Sequence, residues 1–247
     1  MAYLPHSDAD RAEMLRAIGV DSVDDLFRDV PPHLRLRDPL DLPPGLSEWE
    51  ATRAVQDLAA ANPPLTCFAG GGMYDHHTPA ALDHLLRRSE FYTAYTPYQP
   101  EVSQGTLQVT YEFQTMVCEL LGMEVANASM YDGASACAEA ALMARSIRRE
   151  RTKLAVSAAL NPNYRRVLGS YVRGAGLELV EVPRAQDGRT DLGALEARVD
   201  DATAAVLLQN PNFFGVVEDV EAAVQIAHGR GALAVVVVDA VACAILK

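Results

Sequence analysis

Six features of this chain bring together residue types that can do chemistry. The first is a turn of small residues, Asp132-Gly133-Ala134-Ser135-Ala136, set between a strand-like run at 125–130 and an alanine-rich helical run. Small side chains at a helix start leave several backbone N–H groups uncovered. The helix dipole adds partial positive charge there, so Gly133, Ala134 and Ser135 can seat a phosphate-type anion. The same residues also read as a plain helix start with Asp132 as its N-cap. The second feature is His76-His77. No further ligand follows at a spacing such as HExxH, so no metal is expected. The third is the pair of lysines, Lys153 and Lys247. Lys153 follows RRERT at a strand entrance, where a solvated surface lysine is expected. The fourth is Asp239, closing the apolar run AVVVVD, where a carboxylate caps the next turn. The fifth is the segment 95–104, which carries Tyr95, Tyr98, Gln99, Glu101, Ser103 and Gln104. It is too interrupted by proline for a core element, and loops on rigid scaffolds commonly carry sites. An interface loop with buried tyrosines is its alternative reading. The sixth is NPNFFG at 210–215, at the carboxyl end of a strand, where α/β folds bind ligands. It makes Asn210 and Asn212 candidate pocket walls.

The elements that position these features come from punctuation and periodicity. Helices are expected over 7–19 and 23–27, followed by a proline-rich segment, 31–44, that reads as an extended arm. Ser47-Glu48-Trp49-Glu50 is a capping box opening a further helix. A short buried strand over 65–69 leads to Gly70-Gly71-Gly72 and Tyr74. Thr78-Pro79 opens a helix to about 90, with the cap before proline. A long helix over 103–123 places Leu107, Tyr111, Met116, Leu120 and Leu121 on one side. From there strands at 154–157, 177–182, 203–208 and 233–238 alternate with helices at 163–174, 192–199 and 217–228. Runs such as AAVLLQ and ALAVVVVD are continuously apolar, as suits strands covered on both faces of a parallel sheet. The βαβ rhythm indicates a doubly wound α/β fold. The expected organisation is an N-terminal helical and proline-rich arm over 1–62 and an α/β large domain over 63–247.

Composition bounds the function. The 247 residues are 49% hydrophobic, enough for a substantial core. A formal charge of -12 argues against nucleic acid as a partner. The one basic run, 145–153, reads as the solvated end of a helix. The four cysteines, Cys67, Cys118, Cys137 and Cys243, show no paired spacing and suit a reducing cytoplasm. The start MAYLPHSDAD has no signal pattern, and no apolar run approaches the ~20 residues a membrane span needs.

Three longer motifs add a resemblance. YTPYQPEVSQGTLQ at 95–108, YEFQTMVCELLGMEVANASMYDGASACAEA at 111–140 and LQNPNFFGVVED at 208–219 resemble the P protein of the glycine cleavage system. The similarity is to subunit 1, the alpha or N-terminal-half subunit, of the two-subunit glycine dehydrogenase (decarboxylating), and it extends over nearly the whole chain. It implies the fold type I architecture of pyridoxal-phosphate enzymes, with active sites at subunit interfaces of a heterotetramer. It also implies the reaction. Glycine loses its carboxyl as CO₂ with pyridoxal phosphate as electron sink, and the aminomethyl group passes to the lipoyl group of the H protein.

The resemblance sharpens the reading of each candidate. Pyridoxal phosphate needs a Schiff-base lysine. Lys153 and Lys247 are both misplaced for it, so no catalytic residue is expected in this chain and the beta subunit is expected to bind most of the cofactor. Asp239 stands where fold type I enzymes place the partner of the pyridine nitrogen. The 95–104 segment would face the pocket across the heterodimer interface, with glycine or the phosphate as neighbour. The chain is shorter than the subunit it resembles, so a C-terminal truncation that removes a small domain is expected. Two alternatives remain: a non-catalytic interaction subunit, or another fold type I enzyme such as an aminotransferase, which would need its own lysine.

Overall fold

The computed structural model describes residues 5–36, 38, 40–68, 70–71 and 75–246. The chain forms two compact units, Met1–Thr66 and Cys67–Lys247. Tyr74, Gly72, Ala69 and Lys247 from the sequence reading lie outside the described residues.

The first unit is built from serine-capped helices. Helix α1 is Asp8–Ile18, with Ser7 and Asp10 forming a reciprocal capping box and Gly19 ending it in the left-handed region. Ser22 and Asp25 repeat the device on a 3₁₀ turn, Val23–Phe27, and Ser47 and Glu50 on α2, Glu48–Ala60. In each case the serine hydrogen bond holds the carboxyl below its ordinary range. The proline-rich segment contains one 3₁₀ turn, Pro32–Leu34, and Arg35 ties it back by donating to the carbonyls of Val30 at 2.9 Å and Phe27 at 2.6 Å. Neither α1 nor α2 buries a residue.

The second unit contains helices α3 (Ala80–Leu86), α4 (Ser89–Tyr92), α5 (Gln104–Leu121) and α6 (Gly133–Ile147). It continues with β1 (Lys153–Ser157), α7 (Pro162–Gly174), β2 (Glu178–Val182), α8 (Leu192–Arg198), β3 (Thr203–Asn210), α9 (Val220–Gly229), β4 (Leu233–Val238) and α10 (Ala240–Cys243). The four strands are parallel in the order β2-β1-β3-β4. This is the helix-flanked α/β sheet that the fold type I resemblance implies. Alternate residues of the central strands feed two cores. Leu154, Val156, Ala205 and Leu207 pack under α6 and α7, and Ala155, Val206 and Leu208 under α8 and α9. Ala134, Cys137, Ala138, Ala141 and Ala144 form the inner stripe of α6, and their small size lets the helix lie close on the sheet.

Six local expectations give way. No strand forms at 65–68, where Leu65 is 81% and Phe68 94% exposed, nor at 125–130. A strand needs a neighbour, and Asn127 instead turns its Oδ1 to the Ser129 N–H at 3.0 Å while Ser129 adopts φ 108°. The helix expected from 78 to 90 breaks at Arg87-Arg88 into α3 and α4, and Pro79 is the cap rather than the first helical residue. Helix α5 turns Leu107, Thr110, Gln114, Val117, Cys118 and Leu121 inward, leaving Tyr111, Met116 and Leu120 exposed. The inward register follows the Gln114 amide, which donates to the Ala126 carbonyl at 2.8 Å. The basic run is not merely solvated. Arg148 donates to the Gly231 carbonyl, and Arg151 to those of Thr203 and Arg230, tying the amino edge of the sheet together. Likewise Lys153 is only 11% exposed at its side chain and pairs with Asp200.

Candidate functional site

The carboxyl edge of the sheet carries most of the buried polarity. Ser157, Asn161, Thr190, Asn212 and Glu218 are all buried there, whereas among the described residues Thr203 alone is buried at the opposite edge. Strand β3 runs into NPNFFG, whose Asn210–Pro211 bond is cis. Asn210 Oδ1 accepts from the Glu218 N–H at 3.0 Å. Asn212 Oδ1 accepts from the Phe214 and Val216 N–H groups at 3.0 and 3.2 Å, and its amide donates to the Gly188 carbonyl at 2.9 Å and Glu218 Oε1 at 2.8 Å. The side chain of Asn212 therefore braces its own loop. The loop tip faces outward: Phe214 is half exposed, edge-on to Phe213 at 5.5 Å and beneath the Arg184 guanidinium at 4.3 Å. Next to it, an apolar groove of about 430 Å³ reaches Asn210 and is lined by Leu121, Met123, Val236, Val238 and Cys243.

The turn that opens α6 is closed by its own chain. Asp132 is the N-cap, accepting from the Ser135 N–H and hydroxyl, each at 2.8 Å, and these bonds hold its carboxyl below the usual range. An anion of the protein already takes the Ser135 N–H that a phosphate would use. On the other side, Tyr164 presses its ring against Gly133, so that a Cβ at 133 would stand 2.8 Å from Cζ. Asp239 caps α10, accepting from the Val241 N–H at 2.8 Å and the Ala242 N–H at 3.1 Å.

The 95–104 segment is an exposed loop. Tyr95 and Tyr98 are 80% and 79% exposed, with ring centroids 6.2 Å apart. Gln99, Glu101 and Gln104 are exposed and Ser103 half-buried. The Gln99 carbonyl accepts from the N–H groups of Val102 and Ser103, both at 3.1 Å, and Ser103 begins α5 without a side-chain cap. Among the described residues, its hydrogen bonds run only within the loop and into α5.

Comparison with known proteins decides the family. The family profile described as "Glycine cleavage system P-protein" matches residues 1–247. The chain belongs to the glycine cleavage system P-protein family. It is 55% identical over 252 residues to the probable glycine dehydrogenase (decarboxylating) subunit 1 of Anaeromyxobacter sp. (strain Fw109-5), covering 100% of this chain and 56% of that protein. It is 51% identical to the protein of the same name from Moorella thermoacetica, with 100% and 55% covered. A crystal structure of glycine decarboxylase (P-protein) of the glycine cleavage system, in inhibitor-bound form, superposes with TM-score 0.88 at 46% identity, again covering 100% of this chain and 55% of that one. The chain thus spans about half the length of the curated relatives it matches.

Against the P-protein family's expected pyridoxal phosphate, the described residues of this chain do not fit a covalent seat. Lys153 lies at the amino end of β1, paired with Asp200, away from the edge where ligands bind. The small-residue turn is capped by Asp132 and packed by Tyr164, and Asp239 is engaged by α10. Tyr164, Thr190 and Glu218 were not legible as site residues. The contacts of Tyr164 with Gly133 and of Thr190 with Ser157 and Glu218 span 28 or more residues, and no local motif marks them.

Proposed function

We propose that this chain is the subunit 1 side of a glycine decarboxylase, shaping the glycine pocket while its beta partner, subunit 2, holds the cofactor. The match over residues 1–247 carries this reading. The exposed loop that carries Tyr95 and Tyr98 adds to it. When bound in the assembled enzyme, pyridoxal phosphate supplies the electron sink for loss of CO₂. The residues of this chain do the rest of the binding work. Tyr95 and Tyr98 present hydroxyls, and Gln99, Glu101, Ser103 and Gln104 present polar groups, to glycine or the phosphate. Asn210 and Asn212 hold the second wall. Burial of the loop at the interface excludes water, which strengthens each of these bonds. The lipoyl group of the H protein is the acceptor of the aminomethyl group, and the assembly is a heterotetramer. Four free thiols suit a reducing cytoplasm, and no described helix is long and apolar enough to cross a membrane.

Co-purification with the beta subunit, followed by glycine–bicarbonate exchange with lipoylated H protein, tests the reading. Exchange that persists with wild type and weakens with Tyr95→Phe or Gln104→Ala, while assembly holds, supports it. A chain that neither assembles nor supports exchange sinks it and favours the non-catalytic alternative. A visible lysine–cofactor absorbance from the chain alone would instead point to an aminotransferase-like enzyme.

A further inference from the structure

We propose that Glu218 is a positioning residue whose carboxylate locks the Phe213-Phe214-Gly215 tip against the 183–190 loop, so that this stretch of the site edge stands preformed. The inference rests on the reading of 210–215 as a wall of the glycine pocket, but its first test does not.

The hydrogen bonds around Glu218 have only one consistent direction. Oε2 accepts from the Thr190 N–H at 2.9 Å, and Oε1 accepts from the Thr190 hydroxyl at 3.1 Å and the Asn212 amide at 2.8 Å. Because Thr190 donates its hydroxyl proton there, Ser157 must donate to Thr190 across their 2.7 Å contact, and Ser157 Oγ in turn accepts from the Ala159 N–H at 3.0 Å. The Asn212 amide is oriented by the same logic, since its Oδ1 takes two backbone N–H groups. One acceptor-only group thus sets the polarity of a chain that joins the loops after β1, β2 and β3. The Phe213 N–H adds a bond to the Ala159 carbonyl at 2.9 Å.

Apolar side chains of the same volume would fill this space with less desolvation. What the polar version adds is a single arrangement of the loop tip. That tip carries Phe214, which is 50% exposed, with Arg184 stacked on it, so the device holds an outward-facing aromatic rather than a core residue.

Glu218→Gln tests the acceptor requirement at constant size. In either orientation the new NH₂ faces a donor, Thr190 N–H or the Asn212 amide. Amide hydrogen exchange on the chain itself is the first readout. Exchange over 212–218 should accelerate about ten- to a hundred-fold, the loss expected for a hydrogen bond to a charged group, while the α7 segment 162–174 stays protected. Unchanged exchange over 212–218, or equal acceleration in α7, overturns the proposal. If Glu218→Gln does not fold, Thr190→Val removes the hydroxyl bonds to Glu218 and Ser157, keeps the Thr190 N–H bond, and should give a few-fold acceleration in the same segment. No change in that segment also overturns it. The second readout uses the assembly with subunit 2: the KM for glycine should rise about tenfold with kcat within about twofold, and an unchanged KM overturns the positioning role. If the wild-type chain supports no exchange reaction, the functional reading fails by itself and the amide exchange still decides whether Glu218 locks the loop.

Discussion

Residues 80–131 and 133–238 belong to one compact unit and are similarly rich in apolar side chains, yet they use them in opposite ways. In the second stretch each strand finds parallel neighbours and each helix a sheet face, so Leu154, Leu168, Leu195 and Leu207 are fully buried. In the first, α3, α4 and α5 bury no residue, and Tyr111, Met116 and Val125 are 69%, 60% and 81% exposed. Helix α5 shows why. It has apolar side chains on two sides, and a lone helix can satisfy only one of them within the unit. The sheet half supplies stability. The helical half is left for contact, which under the proposed function is contact with the partner subunit.

The comparison breaks most readily in the core. Leu207→Ala should lower unfolding free energy by about 2–5 kcal/mol in urea denaturation, because both transfer and cavity terms apply at a fully buried site. Met116→Ala on the exposed side of α5 should change it by less than about 0.5 kcal/mol. Equal losses would mean that α5 is packed in solution and the contrast between the halves is false.

Gly133→Ala sits at the junction of the two stretches. The added Cβ meets Tyr164, so a loss of about 1–3 kcal/mol is expected from overpacking. In a Tyr164→Ala background the same substitution should be nearly neutral. A cost unchanged in that background would show that something other than this contact requires glycine. Tyr111→Ala gives the complementary case. It should leave the melting temperature of the chain alone unchanged and weaken binding to subunit 2 about tenfold, as measured by titration calorimetry. Unchanged affinity would remove this side of α5 from the interface.

Where structure rests on neighbours in sequence, it was legible. The helix starts at Ser7 and Ser47 and the strand Leu233–Val238 form as expected, because a cap needs only three residues and the apolar run of β4 finds β3 as its neighbour. Strands at 65–68 and 125–130 were misread because a strand also needs a partner, which local pattern does not report. The buried side of α5 was misread because two apolar stripes compete. The polar network at the carboxyl edge was not read at all. Ser157 meets Thr190 across 33 residues, Thr190 meets Glu218 across 28 and Asn212 meets Gly188 across 24, and only the folded sheet brings them together. Of the expected site residues, Asn210 and Asn212 lie in this network, whereas Tyr95 and Tyr98 lie on an open loop.

The thiols test the closure of the sheet half with the smallest effect. Cys137 is buried in the stripe of α6, and burial pushes its thiol up to about 11 from an ordinary 9.0. Cys67 is exposed. At pH 8 iodoacetamide should label Cys67 and leave Cys137 unmodified until denaturant is added, since the thiolate is the nucleophile and its fraction at Cys137 is about a hundredfold lower than in an unshifted thiol. The sign for stability follows from the same proton. Above the ordinary thiol value the unfolded chain gives up the Cys137 proton while the folded chain keeps it. The folded state then binds more protons, and stability falls as pH rises from about 9 towards 11. Cys137→Ala or Cys137→Ser should remove that slope and leave the neutral-pH labelling of Cys67 as it was. Labelling of Cys137 at the rate of Cys67 in native buffer would mean that α6 opens readily from the sheet. The half of the molecule taken as self-sufficient would then also depend on a partner to close it.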